Sequence, residues 1–292
     1  MTIVLILVTE MLSQVSKEEL PRPFLKWAGG KSRLIPKYHT FFPENFKTYY
    51  EPFLGGGAVF FYLYNQRPKQ AILTDINSEL INTYNCVKTH LDDLINLLIF
   101  HTKQHSKDYY YQMRKTVEDS DLKKAARLIY LNKTCFNGLY RENSKGEFNV
   151  PMGRYKKPNI CDLSGLRLAS RALQSAEIEV RSFEEVLNSA SSQDDFVYFD
   201  PPYYPVSSTS NFTSYSRYSF HEKEQIQLAE VFMALAKRGV KVMLSNSDTS
   251  FIRNLYKDFE IHTVSAGRSI NSNAKKRGLI NELLVTSYSN PK

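Results

Sequence analysis

The stretch YFDPPYYP, residues 198–205, sets an acid, prolines and tyrosines at the end of an apolar run. Proline has no N–H to give to a sheet ladder, so the strand implied by FVYFD (196–200) stops at Asp200. The carboxyl end of such a strand is where open α/β sheets place ligands. The Pro201 carbonyl, with no helix or ladder to join, is a second acceptor, and Pro202 stiffens the turn. Two neighbouring acceptors suit one amino group with two N–H donors, and Tyr203 offers a ring on which a flat base can stack. The chemistry indicated is capture of the exocyclic amine of a nucleobase. A plain strand-end turn is the bland alternative, and it leaves the acid and the ring unexplained.

EPFLGGGAVFF (51–61) places Gly55, Gly56 and Gly57 between a strand and a helix, where a backbone must turn tightly and approach a ligand. Asp75 ends the following strand, QAILTD, placed for a ribose hydroxyl. A dinucleotide fingerprint needs glycine at position 60, and Phe60 stands there, so a nucleoside without pyrophosphate is favoured and a nicotinamide dehydrogenase is not. FLKWAGGKSRL (24–34) adds Trp27 as a packing wall and Lys31 as a cation for a carboxylate. Adenine, ribose and an amino-acid tail together describe S-adenosylmethionine. Its sulfonium leaves as a neutral thioether, so transfer to an amine calls for no metal and no covalent intermediate. Cytosine-C5 transfer would need an activated Pro-Cys pair, which the sequence lacks. Cys86, Cys135 and Cys161 are scattered and odd in number, which fits a reducing compartment without structural zinc.

The elements that must position these residues alternate. Strand 46–53, the glycine loop, a helix from AVFFYLY, strand 70–75 and a helix capped by Asn77 or Ser78 form the first half of a doubly wound sheet. Residues 88–134 then read as helices, and 135–162 as ordered loop with short strands. Alternation resumes with IEVRSF (178–183), FVYFD, a helix over 222–238 closed by Gly239, VKVMLSN (240–246) and LINELLVTSY (279–288). The fold class is α/β, a doubly wound mixed sheet of Rossmann-like type interrupted by a mainly helical insertion. The domains are a leader over 1–21, a catalytic unit from 22–82 and 163–292, and an insertion over 83–162. The apolar run Ile3–Val8 lacks a basic flank and is too short to span a bilayer, so no membrane is expected. It reads as an edge strand, a leader or a mis-chosen start, with Met11 the alternative initiator.

Net charge is +8, and residues 123–157 alone carry nine Lys/Arg against two Glu. A solvated face is the usual meaning of such a run. Here it is interleaved with Tyr130, Phe136, Tyr140, Phe148 and Tyr155, which suits phosphates and bases. A second basic cluster, AKKRG, lies at 274–278.

DPPY, FLKWAGGK and EPFLGGGAVFF around a central insertion resemble the Dam-type (D12 class) DNA adenine-N6 methyltransferases, close to those that modify GATC. FNGLYRENSKGEFNVPMGRYKKP (136–158), SNFTSY (210–215), LSNSD (244–248) and RSINSN (268–273) extend the resemblance from about Phe24 to Tyr288. It implies that Trp27, Lys31, Gly55, Gly57, Asp75, Ser182, Phe183 and Asp200 bind S-adenosylmethionine, with Asp200, Pro201, Pro202 and Tyr203 catalytic. It further implies that Lys26, Leu139, Arg141, Pro151 and Tyr155 read GATC, that Phe136 and Asn137 fill the gap left by a flipped adenine, and that Arg154 meets phosphate. Many relatives carry Tyr where Phe136 stands, so a hydroxyl contact is lost and stacking is kept. The partner implied is double-stranded DNA, with a cognate restriction enzyme a further candidate, in the cytoplasm of a bacterial or phage-infected cell. Cytosine-N4 transfer, an RNA substrate and a non-catalytic DNA-binding relative stand as rivals; Asp200 argues for adenine over cytosine, whose enzymes more often carry Ser.

Overall fold

The computed structural model describes residues 20–64, 68, 70–206, 220–267 and 279–289. The leader, apart from its last two residues, and SNFTSY, RSINSN and AKKRG lie outside the described residues. Strands β1 (Thr48–Glu51), β2 (Gln70–Asp75), β3 (Ala176–Val180), β4 (Asp195–Phe199), β5 (Lys241–Ser247), β6 (Glu260–Gly267) and β7 (Leu279–Thr286) form one sheet. Their order is β3-β2-β1-β4-β5-β7-β6, all parallel except β7, which runs antiparallel to both neighbours. The sheet grows one way from β1 through β2 and the other way through β4, so the carboxyl ends of β1 and β4 flank the switch point where such sheets bind ligands.

Each residue of β4 is buried, as expected of a central strand covered on both faces. One face packs Val197 and Phe199 against Phe232 of helix α7 (Glu222–Lys237), which ends before Gly239 at φ +80°. On the other face lie α1 (Ala58–Tyr64) after the glycine loop and α2 (Ser78–Thr89), whose N-terminus is capped by Asn77 Oδ1 accepting from Leu80 N at 3.0 Å.

The insertion consists of α3 (Leu91–Gln104), α4 (Lys107–Lys115) and α5 (Asp121–Thr134), the last two capped by Ser106 and Ser120. Leu128 and Ile129 of α5 share one continuous apolar core with Phe196 and Tyr198 of the sheet, so the insertion is built onto the sheet layer. Residues 135–162 hold two isolated bridges, Cys135 with Met152 and Glu142 with Phe148, in place of regular strands.

Three differences from the sequence reading have local causes. The strand expected over 178–183 starts at Ala176 and stops at Val180, because Ser182 opens a 3₁₀ segment, Phe183–Asn188, through a capping box with Glu185. Helix α6 (Leu163–Leu173), capped by Asp162, leads into β3 where no helix was expected. Strand β6 is short of apolar residues because it is the sheet's edge. Among the described residues no helix is long and apolar enough to cross a membrane.

Candidate active site and DNA interface

The prolines end β4 as expected and leave Asp200 beyond its carboxyl end. Its Oδ1 receives two donors: Lys31 Nζ at 2.7 Å and Ser245 Oγ of β5 at 2.8 Å. Among the described residues nothing donates to Oδ2 or to the Pro201 carbonyl. The carboxylate is 19% exposed, so an oxygen remains within reach of an incoming ligand. Burial raises its pKa, and the Lys31 charge and the Ser245 hydroxyl draw it back.

Lys31 is 4% exposed and donates also to the Gly29 carbonyl at 2.7 Å. Its ammonium stands over the Tyr203 ring, 4.7 Å from the centroid. The carboxylate it meets here is that of Asp200. The Tyr203 hydroxyl donates to Glu282 Oε2 of β7 at 2.8 Å, and Tyr38 donates to the same oxygen at 2.7 Å. Glu51, at the end of β1, accepts from Tyr49 and from Phe60 N, and burial lifts its carboxyl to about 8, well above the usual carboxylate range.

The turn after Asp200 is held from behind. Gln225 of α7 donates to the Pro202 carbonyl at 2.9 Å, and its own oxygen accepts from Asn246 at 3.0 Å. Asn246 Oδ1 accepts from Tyr204 N, and Ser247 donates to the Tyr204 carbonyl. Gln225 and Asn246 are fully buried, and the oxygen and the nitrogen of each amide have a partner.

The nucleoside side of the crevice is formed at β1, β2 and β3. Gly55 and Gly57 have φ of +48° and +66°, conformations open to glycine, and a Cβ on Gly55 would lie 2.9 Å from the Trp27 ring. Trp27 thus seals the loop from outside and stacks on Tyr140 at 5.1 Å. Asp75 accepts from Gly55 N at 3.1 Å and from Asn77 N at 3.0 Å; burial raises its carboxyl above the usual range. Val180 lies opposite Asp75, Ser182 follows two residues further on, and Phe183 stacks on Phe53 at 5.5 Å. A partly exposed acid at one strand tip and aromatic rings at the next offer an acceptor for ribose hydroxyls and apolar faces for a purine.

A further group lies beyond Trp27. Phe136 and Asn137 are exposed, and Asn137 holds φ +57°, a left-handed tip. Phe136 N donates to the Pro151 carbonyl at 2.8 Å, so the tip and Pro151 are one surface. Lys26 Nζ sits 4.8 Å from the Tyr155 centroid. Arg141 is steered by Asn149, with Nε donating to Oδ1 at 2.6 Å. Leu139 is half-buried, and Arg154 is exposed. The residues singled out from sequence therefore fall into two groups, a crevice at the strand ends and a basic, aromatic surface, which meet at Lys26–Trp27. Sequence reasoning missed Ser245, Gln225, Asn246, Glu282 and Asn132; LSNSD contained two of these, and its polar residues inside an otherwise apolar strand were the signal. Among the described residues no cluster of three His, Cys, Asp or Glu converges on a metal position.

Comparisons with known proteins show the family. The family model for D12 class N6 adenine-specific DNA methyltransferases matches residues 27–270. A type II methyltransferase of Lactococcus lactis subsp. cremoris is 44% identical, the alignment covering 92% of this chain and 96% of that one. A type II methyltransferase of Methanocaldococcus jannaschii is also 44% identical, covering 91% of this chain and 99% of that one. The DNA adenine methylase of Escherichia coli K12 is 39% identical over 90% of this chain and 94% of its own. With the match spanning crevice and surface alike, the chain belongs to the D12 class of N6 adenine-specific DNA methyltransferases.

Proposed function

We propose that this chain methylates N6 of an adenine rotated out of duplex DNA, within the sequence GATC, by direct transfer from S-adenosylmethionine. One observation carries the catalytic part: two acceptors, Asp200 Oδ2 and the Pro201 carbonyl, lie unused among the described residues at the switch point of the sheet. They suit the two hydrogens of an exocyclic amine. Holding both favours a pyramidal nitrogen and frees a lone pair that is otherwise delocalised into the purine. The cofactor implied by the family supplies an electrophilic methyl. Trp27, Lys31, Gly55, Gly57, Asp75, Ser182 and Phe183 are assigned to hold it, and Tyr203 to stack on the base. Positioning supplies much of the rate.

The target atom lies inside the duplex, and rotating its base out costs roughly a few kcal/mol. Phe136 and Asn137 are assigned to the vacated space, a role supported by their exposure and by the left-handed tip. Arg141 is assigned to guanine O6 and N7, and Lys26, Leu139, Pro151 and Tyr155 to the remaining base contacts. Arg154 positions a phosphate. Residues 83–162 act as the target-recognition unit. A restriction enzyme cutting the same sites is assigned as a partner, on the type II designation of two relatives, and the location assigned is the cytoplasm.

The test is digestion of unmethylated plasmid after incubation with and without S-adenosylmethionine. A nuclease that cuts only methylated GATC should gain its cleavage, and one blocked by that methylation should lose it. Methyl transfer that leaves both digestion patterns unchanged would remove GATC as the target.

A further inference from the structure

Asp200 has two oxygens, and the protein treats them differently. Lys31 and Ser245 both donate to Oδ1, and among the described residues nothing donates to Oδ2. The carboxylate accepts only, so Ser245 must give its one proton to it. The bond between Ser245 Oγ and Tyr198 OH, 2.9 Å long, then runs in one direction, with Tyr198 donating. Ser245 is fully buried in the middle of β5, where a side chain's position is set by the sheet and not by a loop.

We propose that Ser245 is a positioning residue for methyl transfer: by fixing Asp200 Oδ1 it presents Oδ2 to the target amine. The inference rests on the reading that Asp200 accepts from that amine. Lys31 alone leaves the carboxylate free to pivot about a flexible ammonium, whereas a second donor on the same oxygen, from a neighbouring strand, fixes the plane of the group.

A pH signature accompanies this role. The titratable groups facing Asp200 are Lys31, Glu51 at the end of β1, Glu282 of β7, and the hydroxyls of Tyr38, Tyr49, Tyr198 and Tyr203. Burial raises the Asp200 pKa, and Ser245 lowers it. The ionised form is the one that accepts from an amine. Removing the serine donor therefore moves the acid limb of the rate profile to higher pH.

The experiment compares Ser245→Ala with Tyr198→Phe in single-turnover methylation of a cognate duplex at saturating DNA and cofactor, across pH. Both substitutions break the Tyr198–Ser245 bond, so a purely structural role lowers the rate in both alike. The expected result is a fall of about ten- to hundredfold for Ser245→Ala, the range for a hydrogen bond to a charged group. Its acid limb should shift upward, with affinities for DNA and cofactor within about twofold of the parent. Tyr198→Phe should keep its rate within about threefold and its acid limb in place. Equal losses in the two variants, or an unmoved rate and limb in Ser245→Ala, would overturn the proposal. Asp200→Asn is run alongside: an inactive Asp200→Asn protein together with a fully active Ser245→Ala protein sinks the serine role alone, whereas a fully active Asp200→Asn protein sinks the amine reading as well.

Discussion

The side-chain amide of Asn132 closes a ring with the backbone of Lys26. Oδ1 accepts from Lys26 N at 2.9 Å, and Nδ2 donates to the Lys26 carbonyl at 2.7 Å. The same Nδ2 donates to the Gly138 carbonyl at 3.1 Å. One buried amide at the end of α5 therefore ties the segment bearing Lys26 and Trp27 to the exposed turn at Phe136–Gly138. Gly138 fits because it lacks a side chain: a Cβ there would lie 2.5 Å from the Lys26 side chain.

Replacing Asn132 with Leu leaves the part-buried N–H and carbonyl of Lys26 and the buried carbonyl of Gly138 without this partner, at up to about 1–3 kcal/mol each where water cannot replace it. The variant should unfold at lower denaturant, and its affinities for cognate DNA and for cofactor should fall together, because one amide holds both segments. Calorimetric titrations with each ligand check this; loss of one affinity alone would contradict the link.

Arg141 and Lys157 differ in what they can read. Arg141 is oriented by Asn149, whereas Lys157 is exposed. Arg141→Ala should cost about 1–3 kcal/mol against the cognate site and narrow the gap to sites altered at the guanine. Lys157→Ala should weaken all duplexes alike and reduce the salt slope by about 1. Binding titrations at several salt concentrations separate the two; equal losses on cognate and altered sites for Arg141→Ala would refute its reading role.

Gly57 combines φ +66° with a Cβ position 2.8 Å from the Tyr84 hydroxyl. Gly57→Ala should destabilise by about 1–2 kcal/mol from the backbone alone. Tyr84 also holds the Gly55 carbonyl at 3.1 Å, so the shifted ring should loosen the whole loop. Cofactor affinity should drop at least about tenfold while DNA binding without cofactor changes little, as measured by calorimetry and gel shift.

His101 lies in the core of the insertion, stacked on Tyr130 and hydrogen-bonded through Nδ1 to the Tyr109 hydroxyl at 2.7 Å. Burial lowers its pKa to about 4, against about 6.5 when unfolded. Between these values the unfolded chain binds the extra proton. The stability contributed is therefore complete above about pH 6.5 and is lost as pH falls toward 4. His105, also lowered by burial, acts in the same direction. Urea denaturation of the parent and of His101→Gln from pH 7.5 to 4.5 should show a shallower decline in the variant.

Much of this arrangement is legible in the sequence because its causes are local. DPPY stops a strand through proline chemistry, and the glycine run forces a turn wherever it stands. Asn77 caps its helix through atoms three residues away. The partners of Asp200 were not legible in the same way. Ser245, which donates to Asp200, and Glu282, which accepts from Tyr203, arrive from strands 45 and 82 residues beyond Asp200, and the polar residues that close VKVMLSN reveal their partners only once the pairing of β4 and β5 is known. The same holds for Asn132, whose partners are backbone groups that no side-chain pattern advertises. Helix α6 and strand β6 escaped notice for a different reason: the one follows a loop-like composition, and the other is a polar edge.

The most direct measurement of the central claim is mass analysis of nucleosides from a cognate duplex treated with the protein and S-adenosylmethionine, using the parent chain and Asp200→Ala. DNA binding is followed in the same samples. N6-methyladenine is expected with the parent, none with the variant, and DNA bound by both. N6-methyladenine formed by Asp200→Ala at the parent's rate would contradict the claim.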